Sequence, residues 1–420
     1  MRTKDLAIEG GPPVRTSPWP KWPRADARTQ EVLLDVLHGK RWTLSGRYDG
    51  KASYEQQFAA AFARYNGVAH CTPTTNGSTA LVIALKALGV GYGDEVLVPG
   101  LTWVACPLAV LECGARPILV DLEPQTLCMS ADRAREAITP RTKAMMIVHQ
   151  YCTLADLDAF VALADQTGVS LLEDCSQAHG ATWKGRRVGS FGKVGAFSLH
   201  ETKVLTAGEG GAAITDDPAL HERMQQLRAN GRRFRAAPRE GYPALEVVGD
   251  ELGWNGCLSE FQAAVLLDRL GHLDEENATR EQNAAYLERR LSSLDGVTTL
   301  ARHPGVDRAT NFRFCIRFDR EKFGGMTIEQ LRTALSAELD VPIGLTIPLA
   351  QNPLYDPSKA SGLPVADRQA IAAATRSLPV AQRARDQCLT LPHYVLMGST
   401  RDQDDIVEAI SKLRRSTATS

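Results

Sequence analysis

Asp174 and Lys203 are the two residues whose types and surroundings could do chemistry. Asp174 closes an apolar run, residues 169–172, and is followed by a polar cluster of Ser176, Gln177 and His179. Lys203 follows a second apolar run, residues 194–198, and precedes Gly208-Glu209-Gly210-Gly211. A carboxylate at a strand end, a lysine on a later turn and glycines around it suit a Schiff-base lysine working on pyridoxal phosphate. In that chemistry the carboxylate keeps the pyridine nitrogen protonated. Upstream, Thr75-Asn76-Gly77-Ser78-Thr79 opens a strongly apolar helix running to residue 88. Free N–H groups and the positive end of the dipole make such a start a phosphate site, although the same residues also serve plain N-capping.

The elements that must position these residues alternate. Strands are expected at residues 95–98, 117–120, 144–148, 169–172, 194–198 and 212–215. Helices are expected at residues 104–111, 130–138, 155–167 and 219–229 between or after them. Short continuous apolar strands separated by helices predict an α/β architecture whose mostly parallel sheet is flanked by helices. Ligands of such sheets bind at the carboxyl ends of the strands, where Asp174, His149 and the Thr102-Trp103 pair all fall. Gly89, Gly91 and Gly93 follow a helix rather than a strand, so they do not make a dinucleotide fingerprint.

The flanking regions carry other signals. Residues 1–25 hold Gly10-Gly11-Pro12-Pro13 and Trp19-Pro20-Lys21-Trp22-Pro23. The prolines predict an extended arm whose tryptophans pack on something, such as another subunit. Helices are expected at residues 27–37 and 54–65, and a long surface loop at residues 231–249. A long helix, kinked along its length, should run from about residue 261 to 291 and bridge two domains. Beyond it the pattern turns α+β, with a strand at residues 313–318 and helices at residues 328–338, 366–374 and 403–412. The expected division is an N-terminal arm and first helix (residues 1–40), a large domain (41–292) and a small C-terminal domain (293–420), with residues 414–420 disordered.

The 420 residues are 44% hydrophobic and 23% charged, with a net charge of −1. That balance gives no electrostatic reason to expect nucleic acid or an anionic membrane as partner. No apolar stretch reaches the ~20 residues of a membrane span, and the N-terminus lacks the apolar core of a signal peptide, so a cytoplasmic protein is expected. Nine cysteines form no CxxC pair and nine histidines no HExxH spacing. Neither a disulfide framework nor a metal site is expected.

Six stretches in order carry a family resemblance: RWTLSGRYDG, PTTNGSTAL, VPGLTWVA, EDCSQAHGA, KVLTAGEGGA and GWNGCLSEFQAA. From about residue 42 to its last helix the chain resembles the sugar aminotransferases of the DegT/DnrJ/EryC1/StrS family. It is most similar to the subgroup of L-glutamine:scyllo-inosose aminotransferases of aminoglycoside biosynthesis. The resemblance implies the PLP-dependent transferase fold type I. Lys203 would form the Schiff base and carry the proton between substrate carbon and cofactor, and Asp174 would bind the pyridinium nitrogen. Gln177 would reach the cofactor's 3′-oxygen and Trp103 would stack on its ring. Gly77, Ser78 and Ser198 would hold the phosphate, joined by Asn255 from a neighbouring subunit, which makes the functional unit a homodimer with shared sites.

The implied activity is ping-pong transfer of an amino group, with L-glutamine as donor, through the pyridoxal and pyridoxamine forms of the cofactor, to a cyclitol ketone. A nucleotide-linked keto-sugar aminotransferase or an aminodehydroquinate-type (AHBA) synthase of the same family is the nearest alternative. A pyridoxamine-dependent dehydratase would replace the lysine by histidine, and a non-catalytic member would have no need to keep Lys203, Asp174, Gln177 and Ser198 together. The chain departs from the family pattern at His149-Gln150-Tyr151-Cys152, at Gly256 and at Leu199-His200-Glu201-Thr202, which puts the ketone in question rather than the cofactor.

Overall fold

The computed structural model describes residues 6–418 apart from Lys40, Thr375 and Arg376. The first five residues of the expected arm and the last two of the expected disordered tail lie outside the described residues. Seven strands form the central sheet: His70–Thr74 (β1), Glu95–Pro99 (β2), Arg116–Val120 (β3), Thr142–Val148 (β4), Ser170–Asp174 (β5), Val194–Ser198 (β6) and Gly211–Thr215 (β7). Their order is β1-β7-β6-β5-β4-β2-β3. Four neighbouring pairs are parallel, and only β1–β7 and β7–β6 are antiparallel. This is the mostly parallel sheet flanked by helices that the alternation predicts.

The strands are apolar throughout because both faces are covered. Leu97, Met145, Ile147 and Leu171 pack on one side with Phe58, Phe62 and Phe160. Val96, Val98, Met146, Val148 and Leu172 pack on the other with Leu81, Ile83, Leu85 and Val110. The period of two also places Asp174, two residues after Leu172, on the side of the helix Gly77–Ala87.

The sequence reading omits β1, whose Pro73 and threonines look unlike a strand. Its place at the sheet edge explains why proline is tolerated, since a partner is needed on one side only. Residues 231–249 are not simply a loop, because Arg232–Phe234 pairs antiparallel with Leu245–Val247. The long helix is two, Glu260–Leu270 and Leu273–Leu291, with the break at Gly271-His272. A helix at Pro379–Gln387 is also unanticipated, and the last helix, Thr400–Ala418, extends into the tail expected to be disordered.

After the long helix comes a second, antiparallel sheet: Val297–Thr299 (β8), Arg313–Phe318 (β9), Gly344–Leu345 (β10) and Cys388–Pro392 (β11), ordered β8-β9-β11-β10. Its own core joins Phe314, Ile316 and Phe318 to Leu287 and Leu291 of the long helix and to Leu331, Ile406 and Ile410. The arm docks on this part of its own chain rather than presenting its tryptophans outward. Buried Glu338 accepts the Ala7 and Val14 N–H groups at 2.8 and 3.1 Å and the Lys412 ammonium at 2.8 Å. Trp19 donates its indole N–H to the Leu339 carbonyl at 2.7 Å.

A fully buried ion pair holds the large sheet to its helices. Glu55 pairs with Arg228, whose Nη1 also reaches the Pro73 carbonyl of β1 at 2.5 Å and whose Nη2 reaches Gln225 at 2.7 Å. Removing one partner strands the other's charge out of water. Glu55→Ala is expected to lower the unfolding free energy by about 3–5 kcal/mol, read from denaturant titration.

Candidate active site

The carboxyl ends of β5 and β6 deliver the two residues from which the chemistry was read. Asp174 ends β5 and is 5% exposed. Its Oδ1 accepts the Ser176 N–H at 3.0 Å, and its Oδ2 accepts the Cys106 thiol at 3.1 Å. Cys106 lies in the helix Ala105–Glu112, on the same side of the sheet. Its thiol is held well above the usual range by burial and by the Asp174 charge, so it stays a neutral donor.

Lys203 sits beyond β6, after a tight turn closed by its own N–H donating to the His200 carbonyl at 2.8 Å. Its ammonium lies 4.3 Å from the centre of the Phe312 ring. Burial pushes the amine from its ordinary value down to about 8; the Asp174 charge opposes that fall and the Arg313 charge adds to it. A lysine near 8 keeps a usable neutral fraction at neutral pH, as a nucleophile or proton carrier requires. His179 is likewise drained of charge: burial and then the Lys203 charge push it down to about 3. Its Nε2–H donates to the Ser198 carbonyl at 2.8 Å, leaving Nδ1 as a buried acceptor without a partner among the described residues.

The phosphate cup expected from the sequence is a compact one. Asn76 caps the helix Gly77–Ala87 by accepting the Thr79 N–H, so the first-turn N–H groups of Gly77 and Ser78 have no intrahelical acceptor. A Cβ on Gly77 would stand 2.6 Å from the Ser198 Cβ, so only glycine lets the helix start lie against Ser198 at the end of β6. Ser78 is exposed. Trp103, just past β2, is 62% exposed and makes no aromatic or cation contact among the described residues. Its face is free for a planar ligand.

The structure joins the other predicted residues less directly. Gln177 is buried, and both ends of its amide are held: Oε1 accepts the Tyr151 N–H at 2.8 Å and Nε2 donates to Gln150 at 3.2 Å. One N–H and one lone pair remain for a ligand. The divergent His149-Gln150-Tyr151-Cys152 segment therefore acts on Gln177's orientation. Asn255 is exposed; its Oδ1 is 3.4 Å from the Cys257 N–H. Its neighbour Gly256 gives its carbonyl to the Thr75 N–H at 2.9 Å, and a Cβ there would strike the Thr79 side chain at 2.7 Å. The glycine departure lets this loop close against the cup.

His149, Glu173 and Cys175 bring possible ligand atoms within 4.8 Å of one another. The lone pairs of Glu173 and His149 are spent on the fold. Glu173 accepts N–H groups from Gly189, Phe191 and Gly192 and faces His149 Nε2, while His149 Nδ1 accepts from Ala155.

Several residues at the site escape the sequence reading: Cys106, Phe312, Arg313, His393 and, in the arm, Trp22. The Trp22 indole N–H is shared between the Glu201 and Lys203 carbonyls at 3.0 and 3.1 Å, and its ring meets His393 edge-on at 4.6 Å. Its tryptophan in a proline-rich arm was the one available signal. A cleft of about 330 Å³ opens here, lined by Trp22, Glu201, Thr202, Phe312, Arg313 and His393 among others. Among the described residues no helix is long and apolar enough to cross a membrane.

Comparison with known proteins adds to this geometry. A family model described as the DegT/DnrJ/EryC1/StrS aminotransferase family matches residues 23–411. An L-glutamine:2-deoxy-scyllo-inosose aminotransferase of Streptoalloteichus tenebrarius is 45% identical over 414 residues, covering 98% of this chain and 97% of the relative. An L-glutamine:scyllo-inosose aminotransferase of Streptomyces griseus is 44% identical over 412 residues, covering 97% of each. Among solved structures, a 3-amino-5-hydroxybenzoic acid synthase superposes with a TM-score of 0.82 at 30% identity, covering 97% of this chain and all of the other.

Proposed function

Because the chain belongs to the DegT/DnrJ/EryC1/StrS aminotransferase family, we propose that it moves the amino group of L-glutamine to an inosose ketone on pyridoxal phosphate. The acceptor is 2-deoxy-scyllo-inosose or scyllo-inosose, the ketones in the names of its close relatives. The observation that carries this reading is the shared electrostatic environment of Asp174 and Lys203 at the ends of adjacent strands. The glycine-lined helix start at Ser198 and the bare face of Trp103 fit a phosphorylated planar ring.

Asp174 supplies the fixed negative charge for the ring nitrogen, and the Cys106 thiol keeps its carboxylate aimed. Gly77 and Ser78 offer N–H groups, and Ser198 a hydroxyl, to the phosphate. Trp103 stacks on the ring, and Gln177 offers its remaining N–H to the 3′-oxygen. When bound, the cofactor supplies the electron sink for the bond broken at the substrate carbon. Lys203, half neutral near pH 8, would hold the cofactor as the free amine and would carry the proton at its Nζ. Exposed Asn255 completes the phosphate site of a partner subunit in a homodimer. The catalytic body is the large domain, residues 41–292, which the small domain, residues 293–420, closes over. A single guanidinium in a cleft of about 330 Å³ suits an amino acid and then a neutral polyol better than a diphosphate.

The test is spectroscopic. Protein mixed with pyridoxal phosphate should show a visible band that L-glutamine discharges and either inosose restores. Absence of any band removes the reading, and restoration only by nucleotide-linked keto-sugars replaces the acceptor.

A further inference from the structure

Arg313 opens β9, the strand that carries the second sheet's face toward Lys203. Its backbone is fixed by pairing opposite Pro392 and by its N–H reaching the Tyr151 carbonyl at 3.4 Å. Its guanidinium carbon lies 5.6 Å from the centre of the Phe312 ring, the ring that also neighbours the Lys203 ammonium. Among the described residues the side chain has no ion pair and no hydrogen-bond acceptor, unlike the buried Arg228 and Arg280, which both have carboxylates. Glu201 lines the same cleft without pairing to it. Burial holds Arg313 below the usual arginine range, while the Tyr151 and Tyr394 phenols bound it as weak neighbours.

The surroundings leave room for it by design of sequence. A Cβ at Gly344 would strike the Thr390 Oγ1 at 2.5 Å and stand 3.3 Å from Arg313 Nη1, so the glycine of β10 leaves room for both side chains. A half-buried guanidinium that lines a cleft without a partner among the described residues is a costly arrangement without an anion. The anion must fit beside a lysine amine in a cleft the size of a small metabolite. A carboxylate two bonds from a reacting nitrogen meets that requirement; a diphosphate would need further cations and more space.

We propose that Arg313 is the carboxylate-binding residue of the amino donor, gripping its α-carboxylate bidentately while the donor's amine faces the Lys203 position. This rests on the aminotransferase reading above and adds the group that selects the donor. Arg313 thereby distinguishes the two substrates that take turns in one cleft, since the ketone polyol carries no charge.

The experiment compares wild type, Arg313→Gln and Arg313→Lys as pyridoxal-phosphate-loaded protein. One probe is L-glutamine against L-glutaminamide, which lacks the carboxylate, in the half-reaction that discharges the visible band. The other is calorimetric binding of glutaramate, which keeps the carboxylate and lacks the amine. Wild type should favour L-glutamine over the amide, and Arg313→Gln should weaken both L-glutamine use and glutaramate binding by about 10²-fold, erasing the preference. Arg313→Lys should recover part of the binding, because it restores charge without the fork.

Unchanged glutaramate affinity and an unchanged donor preference in Arg313→Gln overturn the proposal. An intact band with L-glutamine turnover in wild type shows that the aminotransferase reading survives that failure. No band in any protein indicts the reading itself.

Discussion

Lys203→Ala protein should remain folded, give no borohydride-reducible adduct with pyridoxal phosphate, and lose amino transfer by at least about 10⁴-fold. General acid–base catalysis by one positioned group is worth up to that factor, and here the same amine is also the point of attachment. In wild type the rate of attachment should rise with pH and flatten above about pH 8. The nucleophile is the neutral amine, and burial brings its midpoint down to about 8. A midpoint near the ordinary lysine value would show that Lys203 is solvated rather than buried. Reductive labelling followed by peptide mapping locates the adduct, and finding it on another lysine would sink the assignment.

Asp174→Asn is the second large expected loss, about 10²–10³-fold in turnover, the usual effect of deleting one preorganised electrostatic partner. The amide keeps the shape and can still accept the Cys106 thiol, so the fold should tolerate it. Its signature lies in Lys203. The Asp174 charge favours the ammonium, so removing it should move the attachment midpoint below pH 8. The variant would then hold more neutral lysine at neutral pH and yet turn over more slowly. That opposition separates a ring-nitrogen partner from a group that merely holds the lysine's charge, for which attachment and turnover would improve together.

Much of this was legible from the chain because the sheet is buried on both faces. Continuous apolar runs such as residues 144–148 and 194–198 then mark strands, and the polar residues at their ends mark the site. What stayed hidden depends on contacts with no local period. Cys106 reads as one more apolar position in a helix, and only the fold shows its thiol on Asp174. Phe312 and Arg313 lie just before and at the start of a half-buried strand, and their importance follows from the second sheet turning that end toward Lys203. β1 was missed because its proline obeys the rule for edges rather than for interiors. The departures from the family pattern also gained physical content. Gly256 is a packing necessity against Thr79, and the His149–Cys152 segment sets the orientation of Gln177.

Trp22 binds carbonyls of residues 201 and 203 and touches the ring of His393. The order of synthesis gives that contact a meaning of its own. Trp22 is made long before His393, so its resting place does not exist until residue 393 has emerged and β11 has joined its sheet. Until then the turn carrying Lys203 lacks its outer brace, however early the central sheet assembles. The Lys203 turn should therefore gain its outer brace only after residue 393 has been made.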